Sequence, residues 1–415
     1  MQYREAFKIA IRALKINKGR SLLTILGIVI GIAAVLVVMS AGNSIQNFVF
    51  AEMDSFGSDI VQTEIKIPST KHTSSENATS MVQGVVITSL KLSDQDAILK
   101  LPNIKKSYAA FLGQEVLSWD DKVKSSMVMA ASASLAEIDS SKVDTGRFFT
   151  KEEDDSLARV VVLGSKMKEK LFGQSDAIGQ NIKIRKTNFK VVGTVKSNGG
   201  SFFIDRDQMV YIPIQTAQKL LWGIDHVSFI ASEMKDPSKD EETVADINEL
   251  LRERHNITDP DKDDFAVTSM DDAKDMLGTI LGGVELLLIA LAGISLVVGG
   301  VGIMNIMYVS VSERTFEIGL RKALGAKYKD IMQQFLTEAV VVTFLGGLVG
   351  VIMGIILNYL VFILASSKGL TWELSLPFSA LFTSLSFAVI LGLVFGLFPA
   401  KKAALLEPIN ALRQE

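Results

Sequence analysis

Hydrophobic and polar positions follow two different rhythms along this chain. Four stretches hold no Lys, Arg, Asp or Glu: Leu22 to Ala41, Leu286 to Val311, Ala339 to Ala365 and Phe378 to Ala400. A bilayer core about 30 Å thick takes roughly 20 helical residues at about 1.5 Å each, so each stretch predicts a membrane-spanning helix. Buried helices of that length in water-soluble domains keep a polar face, and these have none. Between the first two stretches the pattern shortens. Strands are predicted over Ile60 to Ile67, with its alternating apolar residues, and over Val160 to Leu163, Ile182 to Ile184, Phe189 to Val195 and Val227 to Ala231. Ser93, with Asp96 three positions on, predicts the N-cap of a short helix ended by Pro102, and Val244, Ile247, Leu250 and Leu251 form one stripe of a helix from about Glu241 to Arg254. Thr70 to Gln83 is rich in Ser and Thr and reads as a loop.

These elements give an α-helical membrane protein with four transmembrane helices and a large mixed α/β domain between helices 1 and 2. Residues 1–41 form a cytoplasmic amphipathic helix and the first span. Residues 42–283 form the outer domain, a core lobe with an inserted strand-rich lobe at about 113–204. Residues 284–415 hold spans two to four and a cytoplasmic helix at about 312–330. Lys and Arg stay on the cytoplasmic side of spans. Arg4, Lys8, Arg12, Lys15, Lys18 and Arg20 precede span one, Arg314, Arg321, Lys322, Lys327 and Lys329 follow span two, and Lys401, Lys402 and Arg413 follow span four. Only Lys368 lies between spans three and four. Both termini are therefore expected in the cytoplasm and the large domain outside the cell membrane. Span one is longer than the usual signal-peptide core of about 7–15 residues, and reads as a retained anchor.

Composition sharpens this picture. The chain of 415 residues is 48% hydrophobic with mean hydropathy +0.31, too apolar for a water-soluble protein. A formal net charge of -3 argues against a nucleic-acid partner. With no Cys there are no disulfides, thiolate metal sites or cysteine nucleophiles, and the three His are too scattered for a local metal motif. No Gly-Lys dipeptide occurs, so the chain has no phosphate-binding P-loop and is expected to be a non-catalytic subunit without a cofactor of its own. Asp259, Asp261, Asp263 and Asp264 resemble a calcium loop, but Asp264 and Met270 stand where it needs Gly and Glu, leaving a solvated turn. Asn77-Ala78-Thr79 fits a glycosylation acceptor pattern that is common by chance.

Inside the spans, Asn305 and Asn358 read as interhelical hydrogen-bond partners, and Glu285 and Glu338 as residues at span entrances that reach interfacial water. Gly27 and Gly31, Gly346, Gly350 and Gly354, and Gly392 and Gly396 recur at i, i+4, a spacing that lets helices approach closely, within the chain or across a dimer. Two cytoplasmic helices are amphipathic. Residues 3 to 16 set Tyr3, Phe7, Ala10, Ile11 and Leu14 against Arg4, Lys8, Arg12 and Lys15, as a helix lying on the bilayer surface does. Ser312 to Asp330 opens with Ser312 as a cap, pairs Glu317 with Arg321 and aligns Phe316, Leu320, Ala323 and Leu324. That stripe suits docking to a protein or to the membrane surface.

Three segments resemble the permease signatures of MacB-type ABC transporters. They are Asn17 to Gly31 (NKGRSLLTILGIVIG), Ser312 to Ala326 (SERTFEIGLRKALGA) and Pro399 to Arg413 (PAKKAALLEPINALR). Gly146 to Phe149, Leu171 to Gly173, Ala177 to Gln180 and Phe189 to Gly193 extend the resemblance through the outer domain. It implies a homodimer of permeases whose loop helix couples to an ATPase through Arg314, Phe316, Glu317, Leu320, Arg321, Lys322 and Leu324. ATP binding would close the outer domains and transmit force without carrying substrate through the membrane. The resemblance further implies a separate ABC ATPase subunit that uses ATP and Mg, since the chain begins only about 20 residues before span one, and an adaptor of the membrane-fusion type. The implied function is export of peptides, macrolides or other amphipathic compounds. The alternatives are an FtsX-like signalling permease that activates cell-wall hydrolases, and a lipoprotein-releasing permease like LolC and LolE.

Overall fold

The computed structural model describes residues 18–54, 59–68, 70–71, 84, 87–139, 143–197, 205–367 and 373–413. The expected surface helix at residues 3 to 16, the Asn77 tripeptide and the Ser/Thr-rich stretch beyond Lys71 lie outside them. In chain order, α1 (Lys18–Asp54) leads to β1 (Ile60–Ile65), α2 (Leu92–Ile98), β2 (Ile104–Trp119), β3 (Lys122–Ala131), α3 (Leu135–Ile138) and β4 (Val143–Gly146). Then come α4 (Lys151–Asp155), β5 (Val160–Leu163), α5 (Ser165–Phe172), β6 (Asn181–Ile184), β7 (Thr187–Val195), β8 (Val210–Pro213), α6 (Ile214–Thr216), β9 (Phe229–Met234), α7 (Asp240–His255) and β10 (Phe265–Ser269). The chain ends with α8 (Met270–Glu313), α9 (Thr315–Ala323), α10 (Tyr328–Ser367), α11 (Phe378–Leu405) and α12 (Pro408–Arg413).

Two compact units result: Phe50–Met276, and Met1–Val49 together with Leu277–Glu415. The four long helices α1, α8, α10 and α11 are each long and apolar enough to cross a membrane. Their packing needs small residues, because lipid tails offer no hydrophobic drive for helices to associate. A side chain at Gly27 would meet the Gly299 backbone at 3.2 Å, and one at Gly31 would overlap Leu296 of α8. Gly346, Gly350 and Gly354 of α10 lie in turn against Ile28, Ile32 and Leu36 of α1, while Gly392 and Gly396 of α11 lie against Val340 and Ala339 of α10. All seven glycines thus face helices of their own chain. The outward faces expose Leu287 at 60%, Val298 at 68% and Phe382 at 77%, surface that suits lipid and not water.

The outer unit is built on ten strands in one hydrogen-bonded system, in the order β10-β1-β9-β2-β3-β8-β5-β7-β4, with β6 pairing both β2 and β7. Because β6 links β7 back to β2, the strands β2, β3, β8, β5, β7 and β6 form a closed ring. Its buried side chains include Leu117, Val128, Val161, Ile182, Phe189 and Val210. The long β2 is shared: its first half pairs with β9 in the open sheet β10-β1-β9-β2, its second half with β6 in the ring. Strands β3 to β7 fall within the strand-rich region expected at about 113–204, and the ring also takes in β8 and the part of β2 from Ala110 onward. Odd positions of β1, such as Val61, face the main core, where Ile98 of α2 and Ile247 and Leu251 of α7 pack.

Several expected ends shift. The cap of helix α2 is Lys91, two residues before the expected Ser93, since Asp94, not Asp96, accepts from the Lys91 backbone N–H at 2.8 Å. Asp94 is buried because it has a second task. It accepts from Arg254 Nε at 2.7 Å and lies 3.5 Å from His255 Nε2, while His255 Nδ1 lies 2.8 Å from Asp264. The hydrogen bond to Asp264 and the nearby Asp94 carboxylate raise the His255 pKa to about 9, so a buried imidazolium ties α2, α7 and the approach to β10 together. Two more acids of that turn are committed within the chain: Asp263 pairs with Arg252 at 2.7 Å, and Asp259 accepts from the Asp261 backbone N–H at 3.1 Å.

Candidate functional site

The loop between spans two and three folds as a buttressed helix. Helix α8 continues to Glu313, so Ser312 lies in its last turn and is not the cap of the next helix, a correction to the sequence expectation. The turn is nearly continuous: the Arg314 N–H donates to Ser310 O at 3.2 Å and Ile318 N–H to Arg314 O at 3.0 Å, leaving no bare helix end for a serine to cap. Thr315 Oγ1 instead satisfies Ser312 O at 2.8 Å.

Four interactions fix the orientation of α9. Arg314 Nη1 donates to both carboxylate oxygens of Glu338, at 3.1 and 3.2 Å. Glu338 is 2% exposed, which corrects its reading as a residue reaching interfacial water. A carboxylate held this far from water is costly to leave alone, because removal of the half-buried Arg314 strands its charge. Arg321 donates to Gln334 at 3.1 Å and pairs with Glu317 one turn back. Lys322 Nζ donates to the carbonyls of Ala404 at 2.8 Å and Leu406 at 2.5 Å, satisfying acceptors at the end of α11. Ile318 is fully buried, and Gly319 admits α12 so closely that a Cβ there would stand 2.7 Å from Ala411 Cβ.

With Ile318, Gly319 and Lys322 turned inward, the opposite face points out. Phe316 is 57% exposed, Leu320 46% and Leu324 82%, and Ala323 is exposed beside them. The predicted residues therefore divide into two groups. Arg314, Arg321 and Lys322 hold the helix to its own chain, with Glu317 braced by Arg321, whereas Phe316, Leu320 and Leu324 form a free apolar stripe. Sequence spacing alone did not reveal Gln334, Glu338, Ala404 or Ala411, which set which face is free. Of the intramembrane amides, Asn358 is buried and donates to Ser375 O at 3.2 Å. Asn305 is exposed on α8, not engaged between helices of its own chain as expected.

Residues 21–250 match the family described as MacB-like periplasmic core domain, and residues 289–408 the FtsX-like permease C-terminal family. The chain is 35% identical over 409 residues to the macrolide export ATP-binding/permease protein MacB of Bdellovibrio bacteriovorus, covering 97% of this chain and 61% of that protein. It is 34% identical over 413 residues to the pyoverdine export ATP-binding/permease protein PvdT of Pseudomonas syringae pv. tomato, covering 99% of this chain and 60% of that protein. The chain thus spans about three fifths of the length of these curated relatives. A crystal structure of the periplasmic region of MacB from Actinobacillus actinomycetemcomitans matches 54% of the chain, at 19% identity and a TM-score of 0.46. With one family match over more than half its length and a second covering its last three helical spans, the chain belongs to the MacB-like permeases, multi-pass membrane proteins that join a MacB-like periplasmic core domain to an FtsX-like permease region.

Proposed function

We propose that this protein is the permease subunit of an ATP-driven exporter, which turns ATP hydrolysis by a separate ABC ATPase into motion of the outer unit. The observation that carries this reading is the exposed apolar stripe Phe316, Leu320 and Leu324 on a helix braced from behind by Glu338, Gln334, α11 and α12. A rigid, apolar helix face is what a partner needs to push against. A loosely held loop would absorb the displacement.

The relatives named above as ATP-binding/permease proteins combine both parts in one chain, which supports an ATPase as the occupant of the stripe. That partner would handle ATP and magnesium. The stripe then lies in the cytoplasm, with both chain ends, and the outer unit outside the cell membrane. The permease works as a homodimer: Asn305, exposed in the last third of span two, faces either hydrocarbon or a second copy, and an amide in hydrocarbon without hydrogen bonds is costly. The cargo is a peptide, a macrolide or another amphipathic compound, delivered with a membrane-fusion-type adaptor. The test is affinity purification of the chain from its native membrane with mass spectrometry of co-eluting proteins. A stoichiometric ABC ATPase and an adaptor are expected. A cell-wall hydrolase or a lipoprotein chaperone in their place would overturn the export assignment.

A further inference from the structure

Strand β2 belongs to both the open sheet and the ring, and it is weakest where it passes from one to the other. Along the edge away from β3 it pairs with β9 as far as Ala110 and with β6 from Leu117 onward, so among the described strands none flanks residues 111–115 on that side. A strand held along one edge opens more readily than one held along both, and Gly113, at the centre of the gap, has no side chain to stiffen it. The open sheet lies before the gap and the ring after it. The gap is therefore a natural bending point between them.

Two segments from elsewhere in the chain bridge it, and both end on Glu115. That residue is 5% exposed and both its carboxylate oxygens are taken: Oε2 accepts from Arg185 Nε at 2.8 Å and Oε1 from Trp222 Nε1 at 2.7 Å. Arg185 lies in the β6–β7 turn of the ring. Its Nη1 also donates to Leu221 O at 2.7 Å, so it grips β2 and the crossover from β8 to β9 at once. Trp222 belongs to that crossover. Its ring lies so close over Gly113 that a Cβ there would stand 2.6 Å from Cζ2, and it packs against Phe111 with ring centres 5.0 Å apart.

Both bridging segments are locally irregular. Arg185 holds a φ of 55°, in the left-handed region that is costly for any residue with a side chain. Trp222 ends a π-helical turn, Ala217–Trp222, closed by the Gly223 N–H on Gln218 O at 2.8 Å, a rare form that recurs at functional sites. Strain of this kind persists where the surroundings fix it, and here the two irregular segments converge on one carboxylate.

We propose that Glu115 is the lock of a hinge in β2. With Arg185 and Trp222 bonded to it, the open sheet and the ring move as one body; with either bond lost, they bend against each other about residues 111–115. The lock lies within the outer unit and is tested with no ATPase or cargo present, so it can fail without touching the export reading, and the reverse.

The full chain in lipid nanodiscs takes two spin labels, at Ala245→Cys on α7, which packs on the open sheet, and at Asp121→Cys in the β2–β3 turn of the ring, both exposed positions. Dilution with unlabelled chain leaves the distance within one copy as the signal. The parent should give one narrow distance. Glu115→Gln, whose single oxygen cannot serve both donors, and Trp222→Phe, which keeps a ring but loses the N–H, should each broaden or shift it. Hydrogen–deuterium exchange in residues 111–116 should quicken about tenfold or more, as expected for loss of a hydrogen bond to a charged group. Exchange in α7 should keep the parental rate, which separates a released hinge from a destabilised unit. Should Glu115→Gln speed exchange throughout the unit, Arg185→Gly is read in its place, because it deletes the guanidinium while suiting the left-handed turn. A distance distribution unchanged in the variants, or faster exchange throughout the unit in Arg185→Gly as well, would overturn the lock.

Discussion

Replacing Phe316, Leu320 and Leu324 together by serine should release the permease from its ATPase without unfolding it. The three side chains are 57%, 46% and 82% exposed, close to two whole apolar side chains in contact with water. Full burial of one such side chain is worth about 1.5–3 kcal/mol, so covering the stripe gains at most roughly 3–5 kcal/mol. Partial coverage and the cost of ordering the contact reduce that sum, and about 2 kcal/mol is a conservative remainder. At about 1.4 kcal/mol per factor of ten, the Kd should rise at least ~30-fold. Stability should barely change, because surface substitutions away from buried features stay within about 0.5 kcal/mol. The assay is titration of nanodisc-embedded permease with its purified ATPase, with ATP turnover recorded in the same samples. A triple variant that binds within threefold of the parent and stimulates turnover normally would refute docking through this face.

Other consequences follow from single contacts. Arg314→Met should destabilise the helical unit by about 3–5 kcal/mol, because it leaves Glu338 charged and buried; Arg314→Met with Glu338→Leu should recover much of that in detergent melts, and no recovery would mean that the pair is not the source. Gly350→Leu should prevent α1 and α10 from packing, since even a Cβ there meets Ile32 Cβ and Val29 O at 3.0 Å, and the protein should fail to elute as a monodisperse species. His255 gives a pH signature. Its folded pKa of about 9 exceeds the ordinary 6.5, so its contribution, about 3 kcal/mol, is fully present below pH 6.5 and lost as pH rises through 9. Urea denaturation followed through outer-unit tryptophans should show that loss between pH 6.5 and 9, and His255→Gln should flatten it.

The membrane helices were legible because a helix of about 20 residues without a single charge has no face suited to water. The structure extends all four past the uncharged runs, to Lys18–Asp54, Met270–Glu313, Tyr328–Ser367 and Phe378–Leu405. The seven spaced glycines were legible as contact points, although not which helix each one meets. Strands β5, β6 and β7 form at the short apolar segments that predicted them. Strands β2 and β3 were missed because β2 changes surroundings midway: Tyr108 to Ala110 are buried in succession, whereas 114–117 alternate between exposed and buried. No single period describes such a strand. The stripe on α9 could be read from its periodicity. Its outward direction could not, since Glu338, Ala404 and Ala411 reach it from 24 or more residues downstream of Arg314 and only folding brings them there.

Motion of the outer unit in response to ATP bound by a partner is the central claim, and the chain is well suited to a direct test because it contains no cysteine. Asp121→Cys, at the exposed β2–β3 turn, takes a single spin label, and the label-to-label distance between two copies is measured with the ATPase bound, with and without a non-hydrolysable ATP analogue. Force transmission predicts a nucleotide-dependent shift of several ångströms in that distance, absent from the serine-substituted stripe variant; a distance distribution that is the same with and without nucleotide would contradict it.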